Sequence, residues 1–381
     1  MTPAARYAAA IEIIDDILSG KPVEQALLSW TRSHRFAGSK DRAAIRDIVF
    51  SAERRRMSCA AMGGGMNGRA IIRGYLCQEG VEESSIFGAG PYAPPALGPA
   101  DASTRPWSEL TTAEQADMPA FAWKMLQEDH GAAAFEIAQA LRQRAPVWLR
   151  VNTLKTTRDA AFTHLKDAGF DPALSPICST ALEIRAQARQ LAQDAFVLSG
   201  GVEFQDLSPQ CSLEALEVRP GMTVLDYCAG GGGKSLALAA RGAQVTAHDA
   251  SPGRMKDLPT RAARAGVNIE TGISPGQSFD MVVCDVPCSG SGAWRRAVDG
   301  KWRLTPERLN ALIAQQRAIV AEASKFLRPG GTLAYMTCSL FHIENSAQTR
   351  FIQAKLELHE AREFTPLTAS DGFYLATFRA P

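Results

Sequence analysis

The chain has 381 residues, 46% of them hydrophobic and 21% charged, and carries a formal net charge of +1. That balance belongs to a multi-domain globular protein, and it excludes a disordered or membrane-spanning chain and any overall basic character that would by itself announce nucleic acid. No stretch approaches a transmembrane span, and Asp15 and Asp16 interrupt the apolar N-terminal run with no cleavage site behind it, so the expectation is a cytoplasmic protein without a membrane partner.

Residues 1–79 are expected to form a helical domain. Ile11, Ile14 and Leu18 recur at helical spacing, as do Ile45, Ile48 and Val49, and no strand alternation intervenes. Within it, residues 32–56 hold eight basic side chains (Arg32, Arg35, Lys40, Arg42, Arg46, Arg54, Arg55, Arg56) against Asp41, Asp47 and Glu53. This is either a nucleic-acid-binding face or a solvated one. Glycine and proline crowd the segment from Gly80 to Pro106, which predicts a linker over 80–118.

Over 119–200 the pattern reads as helices followed by a small α+β unit. Its parts are a helix in FAWKMLQEDHGAAAFEIAQALRQ, a strand in VWLRVNTLK, a helix near 157–168, and short strands near 182–185 and 202–205. From 201 to 381 strands and helices alternate: TVLDYC, KSLALAARG, QVTAHDA, a helix over 252–265, FDMVVCD, a helix over 305–328, TLAYMTC, and a closing hairpin near 355–361 and 373–379. Alternation of this kind predicts an α/β fold with a doubly wound, mostly parallel sheet whose ligands bind beyond the strand C-termini.

The first of those strands runs into DYCAGGGGKS, Asp226 to Ser235. A phosphate-binding loop of a nucleotidase would need a glycine five residues before Gly233, and that position is Cys228. A nucleoside site asks only for a loop that lets a ligand approach the backbone and for an acid at the end of the next strand. Asp249 stands there, 19 residues past Gly230.

The segments DYCAGGGGKS, DVPCSGSGAWRR, YMTCS and DGFYLA, with WLRVNTLK and FQDLSPQC upstream, together resemble the Sun/RsmB family of S-adenosylmethionine-dependent RNA cytosine-5 methyltransferases. The resemblance covers roughly residues 146–381, and the helical N-terminus is loosely similar to the NusB-like RNA-binding domain of some members. It implies a Rossmann-like methyltransferase domain over 201–381 and S-adenosyl-L-methionine as cofactor. The cofactor site would comprise Cys228, Ala229, Gly230, Gly231, Gly232, Gly233, Lys234, Asp249 and Asp285. RNA is the implied partner, ribosomal with transfer RNA as the alternative, and neither an obligate protein partner nor an oligomer is expected. The loop departs from the family's usual alanine-alanine-proline at Ala229, Gly230 and Gly231.

Cytosine carbon 5 is too weak a nucleophile to take a methyl group from a sulfonium unaided, and covalent addition of a thiolate to carbon 6 supplies the activation. The resemblance makes Cys338 that nucleophile, Cys288 the group that assists release, and Asp285 the acid holding the cytosine edge. The remaining cysteines, including Cys284, read as buried small hydrophobes, and no metal site is expected because the six histidines show no ligand spacing. In WRRAVDGKWR, Arg295, Arg296, Lys301 and Trp302 are candidates for RNA contact, joining cations to a stacking surface. The alternatives are a phosphate-loop nucleotidase and a catalytically silent RNA-binding scaffold.

Overall fold

The N-terminal apolar periodicity becomes helices in the computed structural model, which describes residues 1–99, 101 and 104–381. Five come first: α1 (Pro3–Leu18), α2 (Val23–Ser33), α3 (Ser39–Arg54), α4 (Arg56–Gly63) and α5 (Gly68–Glu79). The Thr2 hydroxyl accepts the Ala5 N–H and Pro3 opens the first turn, so α1 starts where its cap dictates. Its Ala10, Ile13, Ile14 and Ile17 are buried, one face of a helix turned to a common core.

This unit does not end at residue 79. The segment expected to be a linker packs Ile86, Phe87 and Leu110 out of solvent and includes α6 (Thr112–Ala116), and α7 (Ala120–His130) and α8 (Ala134–Arg142) follow. Glycine and proline there do interrupt regular structure, but the apolar residues between them anchor the path. The compact helical unit comprises Met1–Arg144 together with a distant piece of chain, Trp294–Leu304.

The second compact unit holds Ala145–Ala293 and Thr305–Pro381. It opens with an antiparallel four-stranded sheet of β1 (Val147–Val151), β2 (Pro172–Leu174), β3 (Ala181–Ile184) and β4 (Val202–Phe204), in the order β2-β3-β1-β4. The boundary expected at 200/201 is not a break in packing. Asn152 Nδ2 donates to Ala265 O (2.8 Å), and β4, beyond that boundary, pairs antiparallel with β1, before it.

The larger sheet has β5 (Thr223–Asp226), β6 (Gln244–Ala247), β7 (Ile269–Thr271), β8 (Phe279–Asp285), β9 (Leu327–Thr337), β10 (Glu357–Phe364) and β11 (Phe373–Arg379), in the order β10-β11-β9-β8-β5-β6-β7. The first five are parallel, and the closing hairpin adds antiparallel at the β9 edge. In β8 the run Met281, Val282, Val283 and Cys284 is wholly buried, the pattern of a parallel strand covered on both faces. β5 lies between β8 and β6, so the order in which successive strands are added reverses at β5, and a crevice opens beyond its C-terminal end. The unit has a Rossmann-like fold. Among the described residues no helix is long and apolar enough to cross a membrane.

Candidate active site

The glycine loop leaves β5 at Asp226 and turns into a short helix, Gly233–Ala239. Gly232 has φ +80°, and a Cβ there would lie 2.1 Å from Leu258 Cδ1, so both backbone and space demand glycine. Gly230, also at positive φ, donates its N–H to Asp249 Oδ2 (2.9 Å). The other oxygen of Asp249 accepts the Ser251 N–H (2.9 Å), and Arg254 Nη1 lies 3.2 Å from the carboxylate. Asp249 therefore shapes the loop as well as standing at the end of β6.

Asp226 was absent from the expected site. Its Oδ2 accepts the Ser235 hydroxyl (2.6 Å), while Oδ1 is buried and has no hydrogen-bond partner among the described residues. Burial pushes this carboxyl up to about 6, against the lowering effect of the Ser235 bond. A strand-end acid followed by a glycine run was the available signal.

Lys234, expected as a cofactor contact, forms an ion pair with Asp285, and its Nζ lies 5.6 Å from the Phe373 ring centroid. Desolvation opposes its charge, but the charges and hydrogen bond of Asp285 outweigh that and raise its pKa, so the lysine stays cationic. Cys338 is among the groups that favour this cation.

Cys338 follows β9 directly, and Cys288 sits three residues beyond β8. Parallel pairing of these strands, with Val286 N donating to Met336 O (3.0 Å), brings the two sulfurs to 3.4 Å. The Cys288 thiol is pushed well above its usual range by its hydrogen bond to Cys338, by burial, and by the negative charges of Cys338 and Glu344. Burial likewise lifts Cys228, to about 12, and Cys284, leaving both as inert thiols.

Behind the pair stands a second residue that sequence reasoning missed. Glu344 is fully buried and accepts Ser289 N–H (2.8 Å), Gln316 Nε2 (2.9 Å), the Ser339 hydroxyl (2.6 Å) and the Ser289 hydroxyl. Ser289 and Ser339 are the residues immediately after the two cysteines.

The candidate RNA contacts lie elsewhere. Trp294–Leu304 is part of the helical unit, where Lys301 Nζ donates to Arg54 O (2.9 Å), Trp302 Nε1 to Glu53 O (2.9 Å), and Arg54 Nε to Arg295 O (2.7 Å). Lys301 is 2% exposed and Arg295 6%, so neither presents its charge to a polyanion, and Trp302, half-buried, has Arg56 over its ring at 4.9 Å. Arg296 remains exposed. The expected basic face is also thinned. Arg46 pairs with Glu24, Arg55 with Glu79 and Arg56 with Glu53, while Arg32, Arg35, Lys40 and Arg42 remain exposed.

A glycine loop at the sheet's reversal point and paired thiols at adjacent strand ends agree with what similar proteins are. A family model described as 16S rRNA methyltransferase RsmB/F matches residues 213–379, and the RsmF/B-like ferredoxin-like domain matches 118–192. Residues 213–379 belong to the RsmB/F methyltransferase family. The ribosomal RNA small subunit methyltransferase B of Klebsiella pneumoniae subsp. pneumoniae is 33% identical over 281 residues, 68% of this chain and 65% of the relative. Its counterpart from Vibrio vulnificus is 32% identical over 250 residues, 62% of this chain and 58% of the relative. The chain thus spans less than two thirds of the length of these relatives. The solved structure of PH0851 shares the fold, with a TM-score of 0.77 over 99% of both chains at 19% identity.

Proposed function

We propose that this protein is an S-adenosylmethionine-dependent RNA cytosine-5 methyltransferase acting on ribosomal RNA through a covalent cysteine adduct. The observation that carries the reading is the pair of cysteine sulfurs 3.4 Å apart at the carboxyl ends of adjacent parallel strands. A lone structural cysteine is common, but a facing pair beside a cationic lysine is suited to thiolate chemistry. The family membership of residues 213–379 supports the same reaction class and, through the names of the relatives, ribosomal RNA as substrate.

The cofactor, when bound, supplies a methyl group on a sulfonium. The residues at the loop fit it. The unsatisfied Asp226 Oδ1 offers an acceptor, Gly230 to Gly233 admit close approach, and Asp249 stands where a ribose would be recognised. Lys234 holds the Asp285 carboxylate in an ion pair at the end of β8, so it is not free to swing.

In the reaction the Cys338 thiolate adds to carbon 6 of the cytosine, a carbon–sulfur bond forms, and carbon 5 becomes nucleophilic enough to take the methyl group. Loss of the carbon 5 proton to solvent then restores the double bond and expels the Cys338 sulfur. Cys288, held as a thiol, donates a hydrogen bond to that departing sulfur and stabilises it as a thiolate. Division of roles between the two cysteines follows from this. Cys338→Ala should abolish methylation and form no adduct with RNA, whereas Cys288→Ala should accumulate protein covalently attached to RNA. A denaturing gel of each variant with RNA and S-adenosylmethionine reads both outcomes, and adduct with Cys338→Ala but not with Cys288→Ala would reverse the roles. Bisulfite sequencing of total RNA from cells with and without the protein tests the substrate. An unchanged ribosomal RNA pattern would remove that assignment.

A further inference from the structure

We infer that Glu344 is a positioning residue that clamps the two cysteine loops to one another and places a negative charge where it acts on Cys288. The inference rests on the two-cysteine reading above and adds a residue to it.

The clamp is visible atom by atom. One carboxylate oxygen of Glu344 accepts the backbone N–H of Ser289 and the side-chain amide of Gln316, and the other accepts the hydroxyls of Ser289 and Ser339. Gln316 in turn donates to the carbonyl of Pro287, the residue before Cys288 (3.1 Å). The loop carrying Cys288 is thus gripped on both sides of the cysteine, and the loop carrying Cys338 is gripped by the residue that follows it. Ser291 completes the ring, its hydroxyl 3.1 Å from that of Ser339 and accepting the Leu340 N–H (2.8 Å). Four donors converge on Glu344, the pattern of an ionised carboxylate, and no cation pairs with it among the described residues.

A buried carboxylate held by hydrogen bonds without a counter-cation is costly to keep, so its retention calls for a use. Facing Cys288 are the Cys338 sulfur, Glu344, the Tyr335 hydroxyl and the Gly290 N–H, and of these only the N–H favours a thiolate there. Lys234, paired with Asp285, is a cation that interacts favourably with Cys338. The negative charge of Glu344 acts with the Cys338 contact and burial to keep the proton on the Cys288 thiol.

The alkylation arm of the test needs neither RNA nor methyl donor, so it fails independently of the proposed reaction. The pH profile of Cys288 alkylation by iodoacetamide is followed by peptide mass spectrometry in Cys338→Ala and in Cys338→Ala/Glu344→Gln. Neutral glutamine should move the midpoint down by about one pH unit, the effect of removing a nearby like charge. Ser289→Ala and Ser339→Ala each remove one strap and leave the charge. They should keep the midpoint in the Cys338→Ala background, and with both cysteines present they should lower the rate of RNA adduct formation. Should Glu344→Gln not fold, as judged by thermal melting, Glu344→Asp takes its place, with the straps lengthened and the charge kept: the midpoint should hold while adduct formation falls. A midpoint unmoved in a folded Glu344→Gln protein, or adduct formation at the wild-type rate in the strap and aspartate variants, would overturn the inference.

Discussion

Lys301 offers the most searching test of the helical unit, because its sequence context pointed to RNA and its surroundings point to burial. It lies with its ammonium on the Arg54 carbonyl and 4.6 Å from the Trp302 ring centroid, faced by Asp117, Glu53, Arg56 and Arg142. Desolvation, partly offset by Asp117, pushes its pKa down to about 8 from an ordinary 10.5. At about 1.4 kcal/mol per pH unit, that difference is worth roughly 3 kcal/mol. The sign follows from proton counting. Below pH 8 the lysine is charged in both states and the cost of burying it is present in full. Above 10.5 it is neutral in both and the cost is gone. Wild-type stability therefore gains this contribution as pH rises from 8 to 10.5. Methionine at 301 does not titrate. The stability difference, wild type minus Lys301→Met, should climb by about 3 kcal/mol between pH 7 and 10.5 in urea melts, other groups cancelling between the two proteins. RNA affinity should change little at constant stability. A flat difference, or a loss of RNA binding in a variant with unchanged melts, would refute burial and return Lys301 to an RNA-facing surface.

Gly232→Ala forces a side chain into a left-handed conformation, about 1–2 kcal/mol, and against Leu258. Calorimetry should show weaker S-adenosylmethionine binding, partly restored by adding Leu258→Ala. Asp226→Asn should stabilise the protein at pH 7 relative to pH 4, because the buried carboxyl, pushed up to about 6, imposes its cost only once pH has risen through 3.8 to 6. Thermal melts across that range check it, and methyl-donor affinity should fall about tenfold or more as a charged acceptor is lost. Replacing Arg32, Arg35, Lys40 and Arg42 with glutamine should lower the salt slope of RNA binding by up to about 3, as measured by fluorescence anisotropy at several ionic strengths. An unchanged slope would make that face merely solvated.

Much of the second unit was legible in the sequence because its signals are local. Strand β8 is read from a continuous apolar run, β5 and its glycine loop from DYCAGGGGKS, and the closing hairpin from two short runs around DGF, each decided by residues close together in the chain. Cysteines at the ends of two predicted strands could be named for the same reason. What periodicity cannot encode is which distant residues meet. That Ser289 and Ser339 share one carboxylate at Glu344 depends on β8 and β9 pairing in parallel register, a fact of the sheet and not of either segment. The charged run WRRAVDGKWR is a still clearer case. Its alternation of cations and tryptophans is the same whether it faces RNA or a helical core. Only the tertiary structure, by placing the Arg54 carbonyl within 2.9 Å of Lys301 and closing solvent off around it, decided that this lysine's charge is spent inside the protein.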